Sequence, residues 1–159
     1  MRLMIKQRVF AWTDSYDVYD ENHNVKYQVK GEFFSLGHKL HVYDQYQNEI
    51  GIIKQRLLTL LPTFEIEVNG KIMGNIQKRF TFFKPKYDVD FNGWHVEGDF
   101  LEWEYDVYDG CSSTIHIHKE FLSWGDTYMI DYANPEDEIM GLMLVLAIDA
   151  ANCSEENSH

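Results

Sequence analysis

The chain has 159 residues, enough for one domain with a sizeable core, and its 45% hydrophobic and 15% aromatic residues exclude a disordered protein. Its formal net charge of −12 at pH 7 opposes binding to a phosphate backbone, so we expect no nucleic-acid partner. Its two cysteines lack C-x-x-C spacing and are too few for a disulfide framework, which indicates free thiols and a cytoplasmic location.

A six-residue pattern recurs along the chain: an aliphatic residue, two variable positions, a charged residue and two mostly bulky apolar residues. Copies begin at residues 5, 29, 53, 76, 96 and 117. Each copy is followed by a segment in which apolar and polar residues alternate, such as Phe64-Glu65-Ile66-Glu67-Val68. Alternation of this kind is typical of a β-strand with one buried face. We interpret each copy and its alternating segment as two strands, so the six copies predict about twelve strands.

Short joins separate the predicted strands. Asn69-Gly70, Asn92-Gly93 and Asp109-Gly110 are dipeptides typical of tight hairpin turns. Joins this short favour antiparallel neighbours, since a parallel connection needs about a dozen residues or more. An open sheet of this size would expose two long edges, and closing the sheet removes both. The sequence therefore predicts a closed antiparallel β-barrel of about twelve strands, too wide for its own side chains to fill.

The end of the chain predicts a helix that fills this barrel. Asn134 is a favourable N-cap, Pro135 stands at the first helical position, and three acids follow at the positive end of the helix dipole. The run Ile139–Ile148 has no polar face, so it must be buried on all sides. It is too short for a transmembrane segment, which needs about 20 apolar residues. We expect a single domain over 1–151, with the hydrophobic helix at about 135–150 buried in the barrel, and a polar tail over 152–159.

Several stretches of the chain resemble the LURP-one-related family in its short bacterial branch. These are residues 31–37 (GEFFSLG), 80–87 (FTFFKPKY), 93–100 (GWHVEGDF), 123–128 (SWGDTY) and 135–138 (PEDE). The resemblance implies the tubby C-terminal-like fold, a wide barrel threaded by a hydrophobic helix. Relatives with this fold include phosphoinositide-binding tubby domains and phospholipid scramblases. The family supplies no catalytic motif and no cofactor, so the resemblance implies no catalytic residues and no enzyme.

Six cations form the strongest candidate binding site. They are Lys54, Arg56, Lys78, Arg79, Lys84 and Lys86. If neighbouring repeats pack side by side, these residues form one patch on the outer wall of an acidic protein, and arginine offers bidentate contacts to phosphate. The alternative is that these cations face solvent and pair with acids across neighbouring strands. Strict alternation sends Lys78 and Lys119 inward, which leads us to expect a β-bulge there.

Histidines near residue 117 form the one pattern suggestive of a metal site. His116, His118 and Glu120 share one face of a predicted strand, and a His-x-His pair can bind zinc or iron. The alternative is an ordinary polar outer face, and the sequence offers no clear further ligand. We interpret the tryptophans as core residues of the wall; they are Trp12, Trp94, Trp103 and Trp124.

The sequence leaves three possible functions. The first is a non-enzymatic domain that binds phospholipid head groups or another anionic ligand on its outer wall. The second is a protein-interaction or regulatory scaffold that uses its loops or polar tail. The third is a metal-dependent enzyme built on His116, His118 and Glu120.

Overall fold

The computed structural model describes residues 1–6, 15–34, 37–122 and 125–156, without the side chains of 33–34 and 153–156. Twelve strands come first: β1 Arg2–Ile5, β2 Ser15–Asp20, β3 Val25–Phe34, β4 Gly37–Asp44, β5 Glu49–Arg56, β6 Thr63–Val68, β7 Lys71–Arg79, β8 Lys86–Val89, β9 Trp94–Asp99, β10 Glu104–Asp109, β11 Ser112–Leu122 and β12 Gly125–Tyr132. A 3₁₀ turn over Pro135–Asp137 leads into one helix, α1 Glu138–Glu156.

The twelve strands form one antiparallel sheet in which nearly every strand pairs with its neighbours in the chain. The first and last strands also pair, with Leu3 opposite Ile130 and Met4 opposite Met129. The sheet order ends at β8 on one side and at β9 on the other. Within the described residues no ladder joins these two strands, although they follow each other in the chain. The barrel is therefore nearly closed, and the predicted complete closure was slightly overstated.

The inward face of the sheet is apolar because the strands alternate with period two. Val18, Val42 and Ile66 are fully buried, and they belong to one cluster that also contains helix residues. The helix side chains from Leu142 to Ile148 are at most 2% exposed. No helix of the described residues is long and apolar enough to cross a membrane.

The helix begins and ends later than predicted. Asn134 is the N-cap of the 3₁₀ turn, with the extended backbone (φ −111°) usual at that position, although its side chain makes no capping bond to the backbone. The helix continues to Glu156, so the first part of the predicted polar tail is helical. The continuation is favourable because it buries Ala151 to 1% exposure and lets Asn152 form two hydrogen bonds.

The expected bulges at Lys78 and Lys119 are absent from the described ladders. The β7–β8 register runs without a shift through Lys78, which lies opposite Tyr87 and is 6% exposed. The β11–β12 register is likewise continuous through Lys119. Lys78 therefore points inward with Ile76, and regular alternation persists to the end of the strand.

Because the strands alternate in direction, the joins fall at two ends of the barrel. The joins 57–62, 80–85 and 100–103 lie at one end, which we call the loop rim. The turns 21–24, 45–48, 69–70 and 90–93 lie at the other end with the start of the helix, and we call this the acidic end. Its exposed acids include Glu21, Asp90, Asp109 and Glu136.

Candidate functional site

Two neighbouring segments of the loop rim have an unusual charge composition. Residues 54–64 and 76–87 contain six of the 14 Lys and Arg residues of the chain and none of its 26 Asp and Glu residues. They lie side by side because β5 pairs with β6, β6 with β7, and β7 with β8. The backbone N–H of Lys78 also donates a 2.9 Å hydrogen bond to the carbonyl of Pro62. We call these two segments together the rim patch.

Large apolar side chains project from the joins of the rim patch. They are Leu57 (45% exposed), Leu58 (106%), Leu60 (93%), Phe80 (79%), Phe82 (101%) and Phe83 (97%). Leu101 and Phe121 add 52% and 83% exposed side chains from other parts of the same rim. Monomeric proteins rarely expose apolar side chains in such a group unless the surface meets a partner or a membrane.

The six predicted cations all lie in the rim patch, but they do not all face the same way. Lys54, Arg56 and Arg79 lie on strand ends and are exposed, as is Lys86 at the start of β8. Lys78 faces the interior and is nearly buried. The structure therefore places five of the six on the surface and one behind it.

Three of these cations form ion pairs with acids outside the patch. Arg56 donates a 2.6 Å hydrogen bond to Glu65, and Arg79 lies 3.1 Å from Asp88. Lys84 bonds to the carboxylate of Asp99 across the gap between β7–β8 and β9. This hydrogen bond raises the pKa of Lys84, and the same bond lowers the pKa of Asp99. The alternative prediction of ordinary cross-strand pairing thus holds for Arg56 and Arg79.

A cavity of about 200 Å³ opens beside the join 80–85 of the rim patch. Lys78 and Arg79 lie on one side of it, while Phe83 and Leu101 supply apolar walls and Pro62 closes it from the neighbouring loop. Such a lining can accept an anionic group while an attached apolar chain contacts the aromatic walls.

The histidine pattern lies on the outer wall, far along the sheet from the rim patch. The rings of His116 and His118 stack with centroids 4.9 Å apart. His116 Nδ1 lies 3.1 Å from Asp106 and His118 Nε2 lies 2.9 Å from Asp131, while Glu120 is 3.6 Å from His118. His116 Nε2 also lies 3.5 Å from Glu104, so each imidazole faces two carboxylates, and the two histidines share none of them. In the part of the chain that the structure describes, no group of three or more His, Cys, Asp or Glu side chains could hold a metal ion.

Asp131 links this outer-wall network to the first strand. Burial alone would raise its pKa, but hydrogen bonds from Arg2 and His118 outweigh burial and lower the pKa. Arg2 reaches both carboxylate oxygens, at 2.6 Å and 3.0 Å. Through these contacts the side chains of Arg2, Asp131 and His118 link strands β1, β12 and β11. A groove of about 770 Å³ passes over it.

A buried carboxylate anchors the start of the helix, and sequence reasoning did not assign it this role. Glu138 accepts hydrogen bonds from the hydroxyls of Tyr27 and Tyr132. Lys26 Nζ lies 2.8 Å from the same carboxylate. Burial would raise the pKa of Glu138, but these donors outweigh burial and hold the pKa below its ordinary value. Burial and the hydrogen bonds to Glu138 raise the pKa of both tyrosines.

Sequence reasoning also missed the exposure of the apolar rim. It interpreted Leu57, Leu58 and Phe80 as the bulky end of each repeat. The available signal was the loss of strict alternation in two segments rich in Leu or Phe that each end in a proline, 57–62 and 80–85. Trp94 and Trp103 are buried as predicted, at 4% and 7% exposure. Trp12 and Trp124 lie outside the described residues.

Comparison with known proteins identifies the family. The model of the LURP-one-related family matches residues 1–149. The uncharacterized protein YxjI of Bacillus subtilis (strain 168) is 32% identical over 157 residues, which cover 99% of this chain and 97% of that protein. The X-ray structure of the Arabidopsis thaliana protein AT5G01750 superposes with a TM-score of 0.64 at 16% identity, covering 94% of this chain and 90% of that one, and it shows a shared fold. The chain belongs to the LURP-one-related family.

Proposed function

We propose that this member of the LURP-one-related family is a non-enzymatic domain that binds anionic phospholipid head groups at its loop rim. The observation that carries the proposal is the rim patch, in which two adjacent segments hold six cations and no acid in a chain of net charge −12. A local positive surface on an acidic protein attracts anions while the rest of the molecule repels them. The sequence placed this site on the outer wall, and the proposal moves it to the rim.

The ion pairs of the patch leave its cations available. Arg56 and Arg79 have side chains that are 50% and 52% exposed, and Lys84 is 64% exposed. Exposed pairs of this kind stabilise a protein by about 0–1 kcal/mol, so a phosphate oxygen can replace a carboxylate at little cost. Arginine then provides a bidentate contact to that phosphate.

The interior supports a surface site. We infer that the helix occupies the lumen, because Leu142, Leu144 and Val145 are fully buried and share one cluster with inward-facing wall residues. A filled lumen has no room for a ligand of the size that wide barrels bind inside. Recognition therefore belongs to the rim and its cavity of about 200 Å³.

Vesicle co-sedimentation tests the proposal. The protein is mixed with phosphatidylcholine vesicles that contain or lack phosphatidylglycerol, at ionic strengths near and well below about 0.15 M, where the Debye length is about 8 Å. We expect binding to the anionic vesicles that weakens with salt. The double variant Arg79→Gln/Lys86→Gln should bind at least about tenfold more weakly, since each basic residue near an anionic surface contributes about 1 kcal/mol.

The matched control removes two exposed cations elsewhere. Lys30→Gln/Lys71→Gln changes the net charge equally, but Lys30 lies on β3 and Lys71 at the acidic end. We expect this variant to bind anionic vesicles nearly as well as the parent protein. Equal losses in both double variants, or no binding of the parent to anionic vesicles, would contradict a head-group site at the rim. In the second case the exposed rim favours the protein-scaffold function instead.

A further inference from the structure

We infer that the protein docks end-on, with the apolar tips of the loop rim inserted into the interfacial layer of a lipid bilayer. This inference deepens the proposed function and rests on it, because anionic lipids draw the rim to the surface. It adds that the partner is an intact bilayer, not a soluble phosphate. It also fixes the orientation: the barrel axis is perpendicular to the membrane plane, and the acidic end points away from the membrane.

The apolar tips of the loop rim are fully exposed. Leu58, Leu60, Phe82 and Phe83 are 93–106% exposed, so the described residues cover almost none of their side-chain surface. They come from two different joins, 57–62 and 80–85, at the same end of the barrel. Projecting apolar tips beside a cavity of about 200 Å³ match a fluid acyl layer, which adapts its shape to whatever enters it.

Cations of the rim patch lie next to the apolar tips, on the side of the barrel wall. Arg56 ends β5, Arg79 ends β7 and Lys86 begins β8, so all three lie directly behind the apolar joins. Tips that enter the acyl boundary would leave these cations at the depth of the phosphates. Long basic side chains reach such a layer while their stems remain against apolar surface.

The two ends of the barrel differ in charge. The exposed acids Glu21, Asp90, Asp109 and Glu136 lie at the end opposite the rim patch. The loop rim also carries the exposed acid Glu102, but the rim patch itself holds six cations and no acid, so an anionic surface attracts the rim patch and repels the opposite end, which selects end-on docking over the reverse. Side-on docking would also bring wall acids such as Asp17 and Glu67 against the lipid phosphates.

Insertion depth is measured with an environment-sensitive fluorophore. The label is attached to Phe82→Cys in a Cys111→Ser/Cys153→Ser background, and the matched control carries it on Tyr46→Cys at the acidic end, where Tyr46 is 75% exposed. We expect a blue shift on anionic vesicles, and quenching by lipids with brominated acyl chains, for position 82 only. An unshifted and unquenched label at 82 on vesicle-bound protein, or equal quenching at 46, would overturn end-on insertion.

A second pair of variants separates insertion from charge. Phe82→Ser/Phe83→Ser should weaken binding to anionic vesicles at least tenfold, while Tyr46→Ser/Ile72→Ser, which removes two apolar groups at the acidic end, should not. Inorganic phosphate at matched ionic strength should not release the parent protein.

The outcomes of these tests separate the two proposals. If the phenylalanine variant binds like the parent while Arg79→Gln/Lys86→Gln does not, insertion is wrong and head-group recognition stands. If the parent binds no vesicle but self-associates through the same phenylalanines, both are wrong and the rim is a protein contact.

Discussion

The side-chain amide of Asn152 donates a 3.1 Å hydrogen bond to the backbone carbonyl of Phe100, the residue that follows β9. The carbonyl oxygen of the same side chain accepts a hydrogen bond from the hydroxyl of Tyr87 on β8. No ladder of the described residues joins β8 to β9. One helical side chain therefore connects the two edges of the barrel at the place where the backbone does not.

We expect Asn152→Ala to weaken this connection. Both Tyr87 and the carbonyl of Phe100 lose a partner in a largely buried setting, so the free energy of unfolding should fall by about 1–3 kcal/mol. Urea unfolding measures the loss, and hydrogen exchange should show faster exchange in β8 and β9 than in β3 and β4. Tyr87→Phe should cost less and be non-additive with Asn152→Ala. The exposed counterpart Tyr46→Phe should have no effect, and an unchanged unfolding midpoint for Asn152→Ala would contradict the connection.

A charge in the middle of the helix should prevent folding. Leu144 is fully buried, and Leu144→Asp places an unpaired carboxylate among apolar side chains, which costs more than about 4 kcal/mol. We expect the cooperative thermal transition in circular dichroism to disappear. Ile72→Asp adds the same charge at a site that is 60% exposed and should retain that transition. A soluble, cooperatively folding Leu144→Asp protein would show that the helix is not the core of the barrel.

Gly98 should tolerate alanine far less well than Gly70. Both have positive φ, +141° and +78°, so both pay backbone strain. A Cβ at Gly98 would lie 2.5 Å from the carbonyl oxygen of Glu104 and 2.5 Å from the Cα of Tyr105, whereas a Cβ at Gly70 meets nothing within 4 Å. Gly98→Ala should therefore cost about 2 kcal/mol more than Gly70→Ala in urea unfolding, because β9 must move away from β10. Equal losses would indicate that β9 relaxes freely.

The free energy of unfolding should decrease as the pH falls, because Glu138 becomes protonated. Its pKa lies below the ordinary value of 4.5 in the folded protein, so its contribution is present above that value and is lost as the pH falls through the folded pKa. Glu138→Gln should thus be destabilised by about 1–3 kcal/mol at neutral pH, and the difference from the parent should shrink between about pH 5 and pH 2. Urea unfolding across this range measures it. Glu136→Gln, at an exposed position nearby, should follow the parent at every pH.

Local pattern was sufficient for much of the fold. Alternation in segments such as Phe64–Val68 predicted strands, the short joins predicted antiparallel order, and the apolar run after Asn134 predicted the helix. These predictions succeeded because each depends on residues close together in the chain. The same reasoning failed where a feature depends on distant residues, as for the unshifted register at Lys78.

The candidate site was likewise predictable from the sequence only in part. The sequence singled out the cations Lys54 to Lys86, since charge is visible in any chain. It did not reveal that Phe82 and Phe83 are exposed, because an apolar side chain is buried only if another layer lies opposite it, and none of the described residues covers the rim at those positions.

The sequence by itself determined the number of strands, their antiparallel order and an apolar helix at the end, because periodicity and turn chemistry act over a few residues. Only the tertiary structure decided where the barrel remains open. The twist and stagger that govern closure accumulate over all twelve strands, and β8 and β9 end without a hydrogen-bonded ladder between them. The same long-range geometry brings Asn152 to that seam and gathers two separate loops into one rim patch.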